Sequence, residues 1–314
     1  MRILITGGAG FLGAALANRL VKDGHTVLAL DDLTAGDPRR LSPAVLLTRG
    51  DVRDVPKLWT LLQGVDCVYH LAARVRVPES IHYPSDYNAV NVGGTVALME
   101  AMRDTGVRRV VFASSGALYG EQTHQPVHEN QLPNPNSPYG VSKVAAEYYL
   151  ATLGTLYDIE TVSLRVFNAY GPSQDLPPSY PPVVPQLLRQ AQAGGSLVIF
   201  GDGAQTRDFV FIDDVVDAFL RVGASQKADG QVYNLGGMRP ISLRDLAQKM
   251  VAIAGHGKVE LIPWPEERKR IDIGDVYSSY ARIENDLGWA PKTCLEDGLR
   301  RTFDYYRANR SHYW

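Results

Sequence analysis

Cysteine is almost missing from this chain: only Cys67 and Cys294 occur among 314 residues. They lie far apart and form no C-x-x-C pair, which leaves no basis for a disulfide scaffold or a thiol redox motif. Cys67 sits inside the apolar run DCVYHLAA and reads as a buried, reduced thiol. Excess charge of either sign is also lacking. A net charge of −2 gives no reason to expect nucleic acid or an anionic membrane as partner, and the one basic run, Glu267-Arg268-Lys269-Arg270, is short. No stretch approaches the roughly 18 apolar residues of a membrane span. Met1-Arg2 leads straight into a strand, so no secretory leader is expected, and the cytoplasm is the expected location. The seven histidines show no ligand spacing, so no metal is expected. Repeats and low-complexity tracts are absent too. What remains is a chain with 45% hydrophobic residues, enough to bury a full core.

What is present begins at the first residue. MRILITGGAGFLG reads as a short strand, Ile3–Ile5, a glycine turn and the start of a helix, Phe11–Asp23, that Gly24 can cap. Gly8, Gly10 and Gly13 give G-x-G-x-x-G; Gly7, Gly10 and Gly13 give the looser spacing. Such a turn lets backbone N–H groups approach a pyrophosphate where aligned peptide dipoles favour negative charge. Asp31 ends the second strand, Thr26–Leu30. A carboxylate there accepts hydrogen bonds from ribose hydroxyls and repels a 2′-phosphate, so NAD is expected over NADP; Asp32 adds to the anionic character.

The βαβ rhythm continues through strands at 44–48, Cys67–Ala72 and Arg109–Ser114, with helices over 85–104 and 138–153. The fold class expected is α/β: a doubly wound, Rossmann-like parallel sheet with a smaller C-terminal lobe. The nucleotide domain is expected over 1–168, the substrate lobe mainly over 169–314, with the chain returning to the first domain near 210–238. The proline-rich stretch 171–185 reads as the loop that leaves the sheet, followed by a helix near 184–193, a strand at 197–200 and a returning strand at 232–235.

Tyr139 and Lys143 are four apart and share one helical face, so an ammonium can sit near a phenol. Ser137 is a good N-cap and Pro138 a favourable first residue, which puts Tyr139 in the first turn. A free phenol has a pKa of about 10 and is a poor base. A neighbouring ammonium would lower that value and supply a tuned proton acceptor beside the dinucleotide.

TGGAGFLG, GDVRD (50–54), HLAA (70–73), NVGGT (91–95), SSGALYG (114–120), SPYGVSK (137–143) and LRVFNAYGP (164–172) together resemble the extended short-chain dehydrogenase/reductase family. Within it the chain is similar to the nucleotide-sugar epimerases, since IFGDG (199–203), QTRDF (205–209) and IGD (273–275) resemble their substrate lobe. The resemblance implies a catalytic set of Ser115, Tyr139 and Lys143. It implies NAD contacts from Gly7, Gly10, Phe11, Leu12 and Gly13, Asp31 and Asp32, Asp51 and Val52 at the adenine, and Leu71, Ala72 and Ala73 at the pyrophosphate and ribose. Asn91, Ser114, Phe167, Tyr139 and Lys143 complete that set. Ser115 would bond the reacting oxygen.

On the substrate side the resemblance implies Asn168 and Arg207 at the diphosphate and Phe200 against a pyrimidine, with Arg270 and Asp275 completing the site beside Ser115 and Tyr139. The second diphosphate cation stays open between Arg268, Lys269 and Arg270, because the usual Arg-x-Gly-Asp is here Arg270-Ile271-Asp272-Ile273-Gly274-Asp275. Ser279 falls where a bulky residue narrows the pocket around C2 in some relatives, so tolerance of N-acetylhexosamines is expected. Relatives that dehydrate or decarboxylate place acids where this chain has Gly116 and Ala117, which cannot exchange protons. The expected activity is therefore NAD-dependent 4-epimerisation of a UDP-hexose by a homodimer. The alternatives are another nucleotide-sugar oxidoreductase or epimerase, such as a UDP-glucuronate 4-epimerase, and a non-catalytic NAD sensor.

Overall fold

The computed structural model of the chain describes residues 1–313. Its centre is a seven-stranded sheet built from β1 (Arg2–Thr6), β2 (Thr26–Asp31), β3 (Leu46–Arg49), β4 (Cys67–His70), β5 (Arg109–Ser115), β6 (Glu160–Val166) and a late strand, Val232–Leu235, which is β11 in chain order. The strand order is β11-β6-β5-β4-β1-β2-β3, all parallel. The order reverses at β1, whose neighbours are β2 and β4, and this is where a doubly wound sheet opens a crevice at its carboxyl edge.

Alternation along the strands sorts the core into two layers. Ile3, Ile5, Val27, Ala29, Tyr69 and Val111 face one side and pack on α1 (Phe11–Lys22). Leu4, Leu28, Leu30, Val68 and Phe112 face the other, against α2 (Val55–Leu61) and, further along the chain, α5 (Gly94–Thr105) and α6 (Pro138–Tyr157). Ahead of α5 lie α3 (Val77–His82) and α4 (Pro84–Tyr87). The helix expected over 85–104 is thus not continuous. Asn88–Gly93 forms a π turn between α4 and α5, a local widening that carries the buried Asn91. The third strand also starts later than expected, at Leu46.

Three short ladders complete the chain: β7 (Ala169–Tyr170) with β10 (Val210–Phe211), β8 (Ser196–Phe200) with β13 (Lys258–Ile262), and β9 (Thr206–Asp208) with β12 (Pro240–Ser242). The lobe has no separate core. Leu187 and Leu188 of α7 (Val183–Gln192), Leu197, Leu246 and Met250 join the same apolar cluster as Ile3 and Ile5. The helix Ile212–Ala224, which contributes Val215, Ala218 and Phe219, packs beside α1 and brings the chain back to β11. Among the described residues no helix is long and apolar enough to cross a membrane.

Candidate active site

The carboxyl ends of β1, β2, β4 and β5 converge on one edge, and each delivers part of the site. The turn after β1 needs glycine for two separate reasons. Gly7 has φ +71°, and a Cβ on it would lie 2.7 Å from the Ala72 nitrogen. A Cβ on Gly13 would lie 2.1 Å from the Gly7 carbonyl oxygen, so the first turn of α1 can press against the loop only without a side chain. Gly10 is the N-cap, with no side chain to occupy the free N–H groups of Phe11 and Leu12. The result is a bare helix N-terminus bordered by Leu71 and Ala72, a cradle suited to a pyrophosphate.

Asp31 is buried at the end of β2. Its Oδ2 accepts from the Ala9 N–H and its Oδ1 from the Leu33 N–H, both at 2.9 Å. Burial raises its pKa and these N–H groups pull it back. Asp32 is turned aside, accepting from the N–H and hydroxyl of Thr34. Asp51 pairs with Arg53 at 2.6 Å, which keeps its pKa low. Val52 is buried against Gly94. Asn91 is buried and fully engaged with the protein. Its Nδ2 donates to the Arg74 carbonyl and to Ser142 Oγ, and its Oδ1 accepts from the Arg74 N–H. The side chain thus ties the loop after β4 to α6, because the π turn aims it into the protein.

Ser137 Oγ accepts from the Gly140 N–H at 3.2 Å and caps α6, with Tyr139 in its first turn as the local signals require. The Tyr139 ring is buried edge-on against Tyr87, centroids 6.3 Å apart. Burial raises its pKa, and the neighbouring Ser115 hydroxyl offsets part of that rise. The Lys143 ammonium donates to the Ala113 carbonyl at 2.8 Å and lies 6.0 Å from the centre of the Tyr139 ring, anchored to β5 instead of the phenol oxygen. Burial lowers its own pKa to about 8. Ser114, beside Ser115 on β5, is buried with an unpartnered Oγ among the described residues. Phe167 is a packing residue here. It stacks on Tyr119 at 5.9 Å and crowds Gly116.

Two groups near the site escaped sequence reasoning. His70 lies wholly buried between the hydroxyls of Thr6 (2.7 Å) and Thr95 (3.0 Å), and burial, then the nearby Lys143, drives its pKa down to about 3. Thr6 also accepts from the Ala72 N–H at 3.3 Å, so the neutral imidazole steadies the loop bordering the cradle. Its position at the head of HLAA was the available signal. The second group is a buried ion pair on α6 and β6, Glu147 with Arg165.

In the lobe, Asn168 has φ +29° and donates through Nδ2 to the Asp208 carbonyl. Arg207 is largely buried. It donates to the carbonyls of Thr206 and Gly274 and pairs with Asp272 at 3.5 Å, not with Asp208. Asp208 is instead committed to the N–H and hydroxyl of Ser278. Phe200 packs on Trp264, centroids 5.5 Å apart. Arg270 is exposed and bound to Glu266 one helical turn away at 2.6 Å, while Arg268 lies over the Tyr180 ring. Asp275 accepts from the Thr206 N–H and so holds the start of β9. Ser279 donates its N–H to the Val127 carbonyl at 2.7 Å. Among the described residues no cluster of His, Cys, Asp or Glu could hold a metal ion.

Residues 3–236 match the NAD dependent epimerase/dehydratase family. The chain is 38% identical to a UDP-glucose 4-epimerase of Mycolicibacterium smegmatis, over 98% of this chain and 99% of that one. It superposes on the crystal structure of UDP-glucose 4-epimerase from Thermotoga maritima with UDP-glucose at a TM-score of 0.93, with 32% identity, covering 99% of this chain and all of the other. A dTDP-glucose 4,6-dehydratase from Streptomyces venezuelae with NAD bound gives 0.91 and 33%, covering 100% and 99%.

Proposed function

The chain belongs to the NAD-dependent epimerase/dehydratase family, and we propose that it interconverts UDP-glucose and UDP-galactose by inverting C4 of the hexose. The glycine cradle and the buried Asp31 fit NAD: the free N–H groups at Phe11 and Leu12 would take the pyrophosphate, and Asp31 the adenosine ribose. The chemistry NAD supplies is acceptance of hydride from C4 and its return to the opposite face of the 4-keto sugar, with no net oxidation. Tyr139 takes the 4-hydroxyl proton and gives it back. Ser115 holds the same oxygen. Lys143, held on β5 by the Ala113 carbonyl, supplies positive charge on the Tyr139 side of the site, and the burial of Tyr139 and Lys143 excludes water. Asn168 and Arg207 would anchor the diphosphate through amide and guanidinium donors while the sugar turns, Asn168 giving up the Asp208 carbonyl and Arg207 its pairing with Asp272.

The observation that carries this reading is the Ser115–Tyr139–Lys143 set at the edge that also bears the cradle, with Tyr139 and Lys143 buried. Dehydration, the other chemistry in the family, lacks its proton donors, because Gly116 and Ala117 replace them. The test is incubation with UDP-glucose, with products resolved by NMR of the anomeric protons. UDP-galactose should form with no build-up of reduced nicotinamide absorbance. A 4-keto-6-deoxy product would overturn the reading.

The protein works as a homodimer in this reading. Val141, Tyr148, Tyr149 and Leu156 stay exposed along α6, an apolar stripe suited to a second copy. Both cysteines are unpaired, which suits a reducing compartment such as the cytoplasm.

A further inference from the structure

Tyr139 is gripped by more than its own helix. As the second residue of α6 it carries one of the N–H groups that no carbonyl within the helix can take. The capping side chain of Ser137 takes the Gly140 N–H and leaves this one over. It goes instead to another helix: Ser80 Oγ on α3 accepts it at 3.2 Å, and Ser80 is wholly buried. The Ser80 hydroxyl spends its own proton on the Val77 carbonyl at 2.6 Å, which leaves its oxygen as a committed acceptor. The Tyr139 carbonyl in turn accepts from Ser142 Oγ at 2.7 Å, and Ser142 accepts from Asn91. Side chains thus hold both main-chain groups of a residue in the first helical turn, where a helix is most prone to fray.

The ring is held from α4. Tyr87 is wholly buried and meets the Tyr139 ring at 84°, centroids 6.3 Å apart. Tyr87 is itself fixed at its far end. Its hydroxyl accepts from the Arg76 N–H at 3.1 Å and lies within donor reach of the Arg76 carbonyl at 2.7 Å and the Glu79 carboxylate at 2.8 Å. Arg76 continues the loop whose earlier residues, Leu71 and Ala72, border the cradle, and Arg74 between them is held by Asn91 through both its N–H and its carbonyl. The two residues that touch Tyr139 therefore stand on the stretch of chain that leaves the cradle. All these contacts stay within residues 74–142, away from the lobe.

Resting on the function proposed above, we propose that Ser80 and Tyr87 are positioning residues for the acid–base step: Ser80 fixes the main chain of Tyr139 and Tyr87 fixes its ring, so that the phenol keeps its place relative to the loop bordering the cofactor cradle.

The test uses the NAD-loaded enzyme, with rates expressed per bound NAD so that only folded protein is counted. Ser80→Ala removes one oxygen, Tyr87→Leu removes the ring, and Tyr87→Phe keeps the ring while removing its hydroxyl. With UDP-glucose, kcat should fall roughly 10-fold in Ser80→Ala and up to about 100-fold in Tyr87→Leu, the scale set by a misplacement of about 1 Å. KM should stay close to the parental value, because neither side chain reaches the lobe. Tyr87→Phe should recover most of the rate lost in Tyr87→Leu. A second readout needs no sugar: the Tyr139 amide, deprived of its acceptor in Ser80→Ala, should exchange its hydrogen roughly tenfold faster, with amides in the middle of α6 unchanged. If the parent leaves UDP-glucose untouched, the functional reading falls and the exchange measurement alone judges Ser80. If Tyr87→Leu does not fold, Ser80→Ala, the smaller deletion, decides. Unmoved exchange in Ser80→Ala would overturn the proposal. So would a rise in KM that accounts for the lost rate, or a Tyr87→Phe enzyme as slow as Tyr87→Leu.

Discussion

The ring of Phe167 fills the space that a side chain on residue 116 would need: a Cβ built on Gly116 lies 2.7 Å from the ring. Phe167 cannot easily yield, because it stacks on Tyr119 and belongs to a small closed cluster with Leu118, Val127 and Val276. The missing acid after Ser115 is thus matched by the packing around it. Gly116→Ala should lower stability by about 1–3 kcal/mol through overpacking, read as a drop in melting temperature. Adding Phe167→Leu should recover part of it. If Gly116→Ala melts like the parent, the ring is not confining this position.

Tyr139→Phe removes a single oxygen from a ring whose packing against Tyr87 it leaves intact. Turnover should fall by roughly 10²–10⁴-fold, the usual contribution of a positioned acid–base group. Bound NAD and melting temperature should stay within error of the parent. Retention of more than a tenth of the parental rate would remove Tyr139 from its role.

What could be read ahead of the structure follows from how local each signal is. The strand–glycine–helix opening, the cap at Ser137 and the spacing of Tyr139 from Lys143 are decided by neighbouring residues, and they stand where expected. The returning strand Val232–Leu235 is visible as an apolar run, although its pairing with β6 is not a local property. The ion pair of Arg270 with Glu266, one turn away, is one that a reading for distant ligands does not weigh. The bonds of Asn91 to Arg74 and Ser142 were not legible, because no residue pattern announces the π turn that carries it. The Glu147–Arg165 pair joins a helix to a strand 18 residues later, and only the tertiary fold brings those faces together.

Lys143 should also show in the pH dependence of stability. Its folded pKa, about 8, is depressed below the ordinary 10.5. Between those values the unfolded chain holds a proton that the folded one has released, so folding gains stability as pH rises. Below about pH 8 that gain is absent and the buried charge is a cost. Lys143→Met removes the linkage. The stability advantage of the variant over the parent should be greatest near neutrality and should shrink by up to about 1.4 kcal/mol per pH unit across this window. Urea unfolding at several pH values measures it; a constant difference would place the Lys143 titration outside the window.

We propose that Ser279 borders the C2 side of the sugar, where its backbone matters as much as its side chain. Its N–H is pinned to the Val127 carbonyl, and the adjoining Ser278 is held by the buried Asp208 carboxylate. The segment therefore cannot retreat to make room for a larger residue. With Ser in place, the pocket should accept UDP-N-acetylglucosamine as well as UDP-glucose. Ser279→Tyr should suppress kcat/KM for the acetylated sugar by roughly 10–200-fold, the range a steric change of this kind commands, while leaving UDP-glucose within a few-fold. Because the anchoring bonds come from the backbone and from Ser278, the substitution leaves them in place, so a loss confined to the acetylated substrate reports on space alone. Equal losses on both sugars would mean that the wall had moved, and the assignment of this position to the C2 side would fall.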